Sequence, residues 1–317
     1  MKTAKTRFLQ NPHPPDLHIG VRDWLTQQDA LGHHVYCLID GALVGERSLR
    51  KLTRAGITWL SPVANNHPEA HEGLGLLLFD LQGPARQIAL PLILEITNGV
   101  PTLQFISLHS EQRDHLPRLL AWLSEIHMGK GQAFYGRLAD NRILSPMLSI
   151  LSPLQNQVLG ETIALWAWLD RTGRLEERTF PHVDRVPDIL LDNGELLPFV
   201  LSDWQHADLM RLTAIDMHYA KLLEKVPEIL PATHGAALHE RLDRINRRAL
   251  ARGIQDEMEQ LLFLTVALTC SDDFDDAPFL TQDWEKVAKG AAFSSLVRDW
   301  DDEIWLRLTP MAVKVAH

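Results

Sequence analysis

The chain has 317 residues, a formal net charge of −10 and two cysteines, Cys37 and Cys270. That length supports one large domain or two lobes with a buried core. The acidic balance argues against non-specific nucleic-acid binding, which needs a basic footprint, and two cysteines exclude a disulfide framework or a Cys-x-x-Cys metal or redox pair.

The first residues, "MKTAKTRFLQNPHPPD", carry positive charge with no apolar stretch behind it, which is not the pattern of a secretory signal. Residues 1–15 are expected as a loose arm. The longest apolar runs, such as "IALPLILEI", fall short of the roughly 20 residues that span a bilayer. With so few cysteines, a reducing cytoplasm is the expected location.

"VRDWLTQQDA" reads as a short helix and "HVYCLID" as a buried strand with β-branched and aromatic bias. "GERSLRKLTRAG" is a helix terminated by Gly56. "GLGLLLFDL" is a second strand, with a helix as the alternative, and "TLQFISLH" a third. In "DHLPRLLAWLSEIHM", Leu116, Leu119, Leu120, Leu123 and Ile126 recur at helical spacing, so one amphipathic helix is expected over 114–128. "QAFYGRLA" is a strand. The helical region "NRILSPMLSILSPLQNQVLG" holds a capping-box pattern at Ser152 and Gln155. "TIALWAWLD" and "RLEERTF", joined by "RTG", form a hairpin; the first is apolar on both faces and belongs inside the sheet.

A second capping-box pattern, Ser202 with Gln205, opens a long helix over about 203–224. Beyond it only helices are expected: "ALHERLDRINRRALARG", "QDEMEQLLFLTVALTC", "TQDWEKVAKGA" and "SLVRDWDDEIWLRL". The second of these is apolar almost all round its second half and should be the central helix of the lobe. The expected fold is an α/β lobe at 16–200, a mixed sheet with flanking helices, followed by an all-helical lobe at 201–317.

Several stretches invite a chemical reading. Asp40 closes an apolar strand, a place where open α/β sheets bind ligands. "HPEAH" spaces His67 and His71 like metal ligands, but its flanks read as a surface loop. "HERLD" begins like a zincin helix and lacks the second histidine. "CSDDFDDAP" concentrates four aspartates without the glycine and glutamate of a calcium loop, so turn and cap roles are expected. No phosphate loop and no nucleophile elbow occurs. No catalytic set, cofactor site or metal site is assigned.

Arg241, Arg244, Arg248 and Arg252 recur at spacings that align them on one helix face. This ridge is a candidate docking surface; the alternative is a helix laced with salt bridges to Glu240 and Asp243. Among the tryptophans, Trp166 and Trp168 share one strand face. Trp168, Trp300 and Trp305 are further candidates for partner binding, as Trp is enriched at hot spots.

"VYCLIDGAL" followed by "FYGRLADNRILSPMLSILSPLQNQVLGETIALWAWLDRTG" resembles the domain-of-unknown-function 4123 family. That family has an early strand ending in Asp-Gly-Ala, matched by Asp40, Gly41 and Ala42. Later come an aromatic strand, an Arg, an Asp-Pro-Arg-like step, a helix, and a Gly before a Trp-containing strand. Arg137, Asp140, Arg142, Leu144, Gly160 and Trp166 occupy these places. Asn141 stands where the family has Pro, which keeps a turn-former but loosens the turn. The likeness covers roughly 33–173, and "ALARGIQDEMEQLLFLTVALTCSDDFDDAP" is similar to the helical lobe that often follows.

The resemblance implies a cytoplasmic adaptor chaperone of bacterial type VI secretion. Such proteins capture a toxic effector, usually through its N-terminal part, and load it onto the VgrG spike protein. They are not enzymes and need no cofactor; neither nucleic acid nor membrane is an expected partner. Two rivals stand beside this: a metal-dependent enzyme using Asp40 and the loop aspartates, and a structural subunit of a larger assembly. In the adaptor reading Asp40 caps the helix that follows, Gly41 permits the tight turn, and losing the cap costs about 1 kcal/mol.

Overall fold

The computed structural model of the chain describes residues 7–62, 75–109, 113–128, 131–186, 190–192, 195–231 and 235–313. It divides into two compact units, one of Gln10–Thr213 and one of Met1–Leu9 with Ala214–His317.

In the first unit, α1 (Leu17–Ala30) precedes β1 (His34–Asp40), whose seven residues are all buried. A short turn of helix, α2 (Gly41–Val44), and α3 (Glu46–Arg54) follow. Next come β2 (Leu76–Asp80), α4 (Ala85–Ile96), β3 (Gln104–Leu108) and α5 (Leu116–Ser124). A small strand pair, β4 (Glu125–Met128) and β5 (Gln132–Tyr135), leads to α6 (Asn141–Ile150) and α7 (Pro153–Thr162). The hairpin β6 (Ile163–Leu169) and β7 (Leu175–Thr179) comes next. Three two-residue strands, β8 (Leu191–Asp192), β9 (Glu195–Leu196) and β10 (Phe199–Val200), precede α8 (Asp203–Lys225).

The main sheet has the order β2-β1-β3-β6-β7, and every pairing in it is antiparallel. The parallel pairing is β10 with β4, in a separate sheet of order β10-β4-β5. Side chains alternate across the main sheet. Tyr36, Leu38, Ile106 and Trp166 pack on one face with α5, α6 and α7. Val35, Cys37, Ile39, Phe105 and Ala167 pack on the other with α1, α3 and α4. Helices on both faces explain why β1 and β6 read as unbroken apolar runs. The edge strand β7, "LEERT", is charged and largely exposed, a pattern that discourages edge-to-edge pairing.

In the second unit, α9 (Ala236–Ala251) and α10 (Glu257–Thr269) pack with α11 (Thr281–Ala288), α12 (Phe293–Asp299) and α13 (Asp302–Val313). As expected, α10 is central. Its Phe263 is fully buried and meets Phe274, Trp284 and Phe293 at ring-centroid distances of 4.7, 6.1 and 5.6 Å.

The α/β-then-helical order is as expected, and both capping boxes form: Gln155 N–H donates to Ser152 Oγ at 3.2 Å, and Gln205 N–H to Ser202 Oγ at 3.4 Å. Four local features differ from expectation. The helix over 114–128 ends at Ser124, and Glu125–Met128 becomes β4. Ile126 still reaches the same core from the strand, while β5 and β10 take up the backbone groups. The final helix breaks at Trp300, whose extended backbone turns its indole into the core, with Nε1 donating to Asp283 at 2.9 Å. The arm over 1–15 is tied down from Phe8 onward: Leu9 is fully buried in the helical core, and Gln10 Nε2 donates to the Asp170 carbonyl at 2.6 Å. The division between units falls inside α8 rather than at residue 200, because Leu209 packs into the α/β core. Among the described residues, no helix is long and apolar enough to cross a membrane.

Burial lowers the pKa of His13 from 6.5 to about 4 and also lowers that of His218, whose ring lies 3.3 Å from Gln260 Oε1. Both groups bind protons more readily when unfolded. Their contribution is therefore complete above pH 6.5 and is lost as pH falls through 6.5 toward 4 for His13. Urea denaturation midpoints should fall steadily from pH 7 to pH 5, and less steeply in His13→Gln.

Candidate functional site

Asp40 ends β1 with only 2% exposure, so its carboxylate must find partners inside the protein. It finds three. Oδ1 accepts from the Leu43 N–H at 3.1 Å, capping α2 as expected. The fork of Arg137 then takes both oxygens, Nε to Oδ2 at 2.9 Å and Nη2 to Oδ1 at 2.7 Å. The Asp40 N–H donates to Thr102 Oγ1, which in turn donates to the Ala139 carbonyl at 2.8 Å. Burial opposes the charge on Arg137, yet the bond and charge of Asp40 hold its pKa above the ordinary value. The left-handed residue of the turn is Gly45, with φ of 79°; Gly41 instead begins α2, and its N–H donates to the Gly75 carbonyl at 2.8 Å. Ala42 lies beside it, partly exposed.

Three residues beyond Arg137 the pattern repeats. Asp140, 2% exposed, caps α6 by accepting from the Arg142 N–H at 3.0 Å. Its oxygens also take the Arg142 guanidinium, Nε at 2.9 Å and Nη2 at 2.6 Å. Asn141, expected to loosen this turn, does the opposite. Its Nδ2 donates to the carbonyls of Leu103 and Leu169 at 3.2 and 2.9 Å, joining the ends of β3 and β6. Its Oδ1 accepts from Gln104 Nε2 at 3.0 Å, and Gln104 Oε1 accepts from Trp166 Nε1 at 3.1 Å. Leu144 is fully buried in the same core. Gly160 admits a close approach: a Cβ there would lie 2.3 Å from the Pro181 carbonyl oxygen. Asp40, Arg137, Asp140, Arg142 and Trp166, scattered over the sequence, thus belong to one polar network. Thr102 and Gln104, which complete it with Asn141, carry no periodic or motif signal.

The arginine ridge on α9 faces the aspartate loop. Arg241 holds Asp272 through Nε and Nη2 at 2.9 and 2.7 Å. Arg248 Nε and Arg252 Nε reach opposite oxygens of the buried Asp275 at 2.8 and 2.7 Å, and both arginines also hold Asp276. Arg252 further lies over the Trp284 ring at 5.2 Å. Arg244 is exposed, and Arg247 pairs with Asp243 on its own helix. The salt bridges expected at Glu240 and Asp243 are therefore mostly made by the loop instead. Asp273 accepts from the Ser271 hydroxyl. The aspartates weighed as metal ligands spend their oxygens on guanidinium and hydroxyl groups. Among the described residues, no group of three or more His, Cys, Asp or Glu is placed to hold a metal ion. His67 and His71 lie outside the described residues.

The tryptophans sort by burial. Trp166 is fully buried, and Trp168 packs against the same core. Trp300 is 7% exposed and meets Trp305 edge-on at 5.3 Å. Trp204, not singled out by spacing, is 57% exposed. It stands two residues after Ser202, as Leu154 stands two after Ser152. The glutamines of these two capping boxes bond to each other, Gln205 Nε2 to Gln155 Oε1 at 2.8 Å, and Gln155 Nε2 donates to the Val200 carbonyl at 3.0 Å. Trp204 and Leu154 each expose an apolar side chain next to one of these glutamines, and Val200, whose carbonyl accepts from Gln155, is 49% exposed against 40% for Leu154.

Compared with known proteins, the chain matches no family model, no curated protein and no solved structure.

Asp40→Ala should cost about 3 kcal/mol in chemical denaturation rather than the 1 expected for a cap alone, because Arg137 loses its partner. Gly160→Ala should cost about 1–3 kcal/mol, since the Pro181 carbonyl would have to move away.

Proposed function

We propose that the chain is an adaptor chaperone, which binds a type VI secretion effector through the effector's N-terminal region and loads it onto the VgrG spike protein in the cytoplasm of the producing cell. The observation that supports this reading is how the signature residues are used. Asp40, Arg137, Asp140 and Arg142 satisfy one another and cap two helices, which is the work of a scaffold. A carboxylate engaged by a bidentate arginine and a helix N–H is poorly placed to act on a substrate. The same holds for Asp275 between Arg248 and Arg252. The signature therefore accounts for a fold that presents surfaces, in line with the resemblance.

In this reading the effector segment meets apolar side chains that the capping boxes hold outward. Trp204, Val200 and Leu154 are the anchors, because an exposed aromatic on a rigid frame supplies contact area at little conformational cost. Arg241, Arg248 and Arg252 serve the fold by holding the aspartate loop, which leaves Arg244 as the outward charge of that ridge.

Affinity capture of the tagged chain from a secreting strain should recover a spike protein and a toxin encoded near it. Recovering neither under secreting conditions would rule the reading out. With the recovered effector in hand, Trp204→Ala should weaken binding at least tenfold while leaving the thermal midpoint within about 2 °C, as a truncated anchor does.

A further inference from the structure

Three imidazoles from distant parts of the first unit meet at one end of the main sheet. His33 lies in the turn before β1, His109 just beyond β3, and His182 just beyond β7. The His109 ring lies 4.5 Å from that of His182 and 6.4 Å from that of His33, edge-on to both. His33 Nδ1 is 3.0 Å from Gln28 Oε1, which also accepts from the Ser107 hydroxyl at 2.8 Å, so this nitrogen donates. His109 Nε2 is enclosed and has no hydrogen-bond partner among the described residues. A proton added there would have no acceptor among the described residues.

The segment after β7 is pressed against α7 at this point. The Val183 N–H donates to the Gly160 carbonyl at 3.2 Å, and the His109 N–H to the Thr162 carbonyl at 3.2 Å. Further along, Arg185 and Val186 line a cavity of about 410 Å³ together with Leu119, Val158 and Glu161. Val186 is 4% exposed and belongs to the core.

We propose that His33, His109 and His182 form an acid-sensitive latch that holds the 181–186 segment against the sheet and α7, and that releases it as His109 takes up a proton. Closed, the latch needs a neutral His109, because its enclosed Nε2 has no hydrogen-bond partner among the described residues. The charges that face the cluster do not cancel this. Asp184, 3.2 Å from His182 Nε2, is 99% exposed and screened by water. From α1, Gln28 accepts from His33, and Asp29 lines the same cleft as His33 with its carboxylate paired to Arg86 at 2.7 Å; from α7 the Gly160 and Thr162 carbonyls face the segment. Asp80 and Arg113 act on His34, the next residue along, and Glu161 and Arg185 stand at the cavity.

Burial, followed by His182 and His33, lowers the pKa of His109. The open state then binds protons more readily than the closed one, so opening is favoured as pH falls below the ordinary histidine value of 6.5. Opening would uncover the apolar cavity wall at Leu119 and Val158. The inference stands apart from the adaptor reading and needs no partner.

Amide hydrogen exchange on the intact chain tests it. At pH 5.5, Val183 should lose at least tenfold of the protection it has at pH 7.5, after correction for the intrinsic rate, while β1 keeps its own. In the His109→Gln, His182→Gln double variant, Val183 protection should become independent of pH. Should that variant fail to fold, His182→Gln alone, a half-exposed position, should cut the pH response severalfold. Equal Val183 protection at the two pH values in the unaltered chain overturns the latch, as does a full pH response in either variant.

Discussion

The ion pair of Asp40 with Arg137 is the constraint around which the first unit is arranged. A carboxylate at the end of a fully buried strand is costly unless paired and hydrogen-bonded, and Arg137 lies 97 positions further along the chain. The connection from β5 to α6 therefore has to return to the end of β1. That return sets Asp140 at the start of α6 and places Asn141 between the ends of β3 and β6. Thr102 links the two halves through the Asp40 N–H and the Ala139 carbonyl. Each polar group in the network is satisfied by another, so its members must assemble together, and the order of these residues in the sequence acquires a physical meaning.

The second unit uses the same logic with the charges reversed in order. Here arginines on α9 reach forward to a loop of aspartates that follows α10, at separations of 31, 27 and 23 residues. Asp275 is buried between two guanidinium groups, and Phe274, beside it, enters the aromatic core of α10. The ion pairs thus fix the loop, and the loop delivers an aromatic side chain to the centre of the unit.

What was legible in the sequence is what periodicity and capping encode. β1, β3 and β6 were readable from apolar runs, and α7 and α8 from Ser-x-x-Gln boxes at their starts. Contacts at long separation leave no such trace. The arginine ridge and the aspartate loop were each visible alone, but nothing in their spacing shows that they pair. Asn141 looked like a weakened turn because a one-dimensional reading cannot show the two carbonyls converging on its amide. The stripe ending at Ile126 misled for a related reason: one apolar side chain can reach the same core from a helix or from the strand that follows it, and the ladders to β5 and β10 decide between them.

The antiparallel sheet also changes the meaning of Asp40. The rule that ligands gather beyond strand ends belongs to parallel sheets, where all carboxyl ends lie on one side. Here β1 runs against both neighbours, so its end lies beside the start of β2, with Asp40 opposite Leu76. In the main sheet the carboxyl ends of adjacent strands therefore lie on opposite sides. With the acidic groups of this network and of the aspartate loop directed at arginines, much of the buried charge serves assembly. Near the two capping boxes the exposed side chains include the apolar Leu154, Val200 and Trp204, and there Gln155 bonds with Gln205 and the Val200 carbonyl. In the adaptor reading, recognition therefore draws its affinity from these rigid anchors, while the chain's net charge of −10 acts on the rate of encounter.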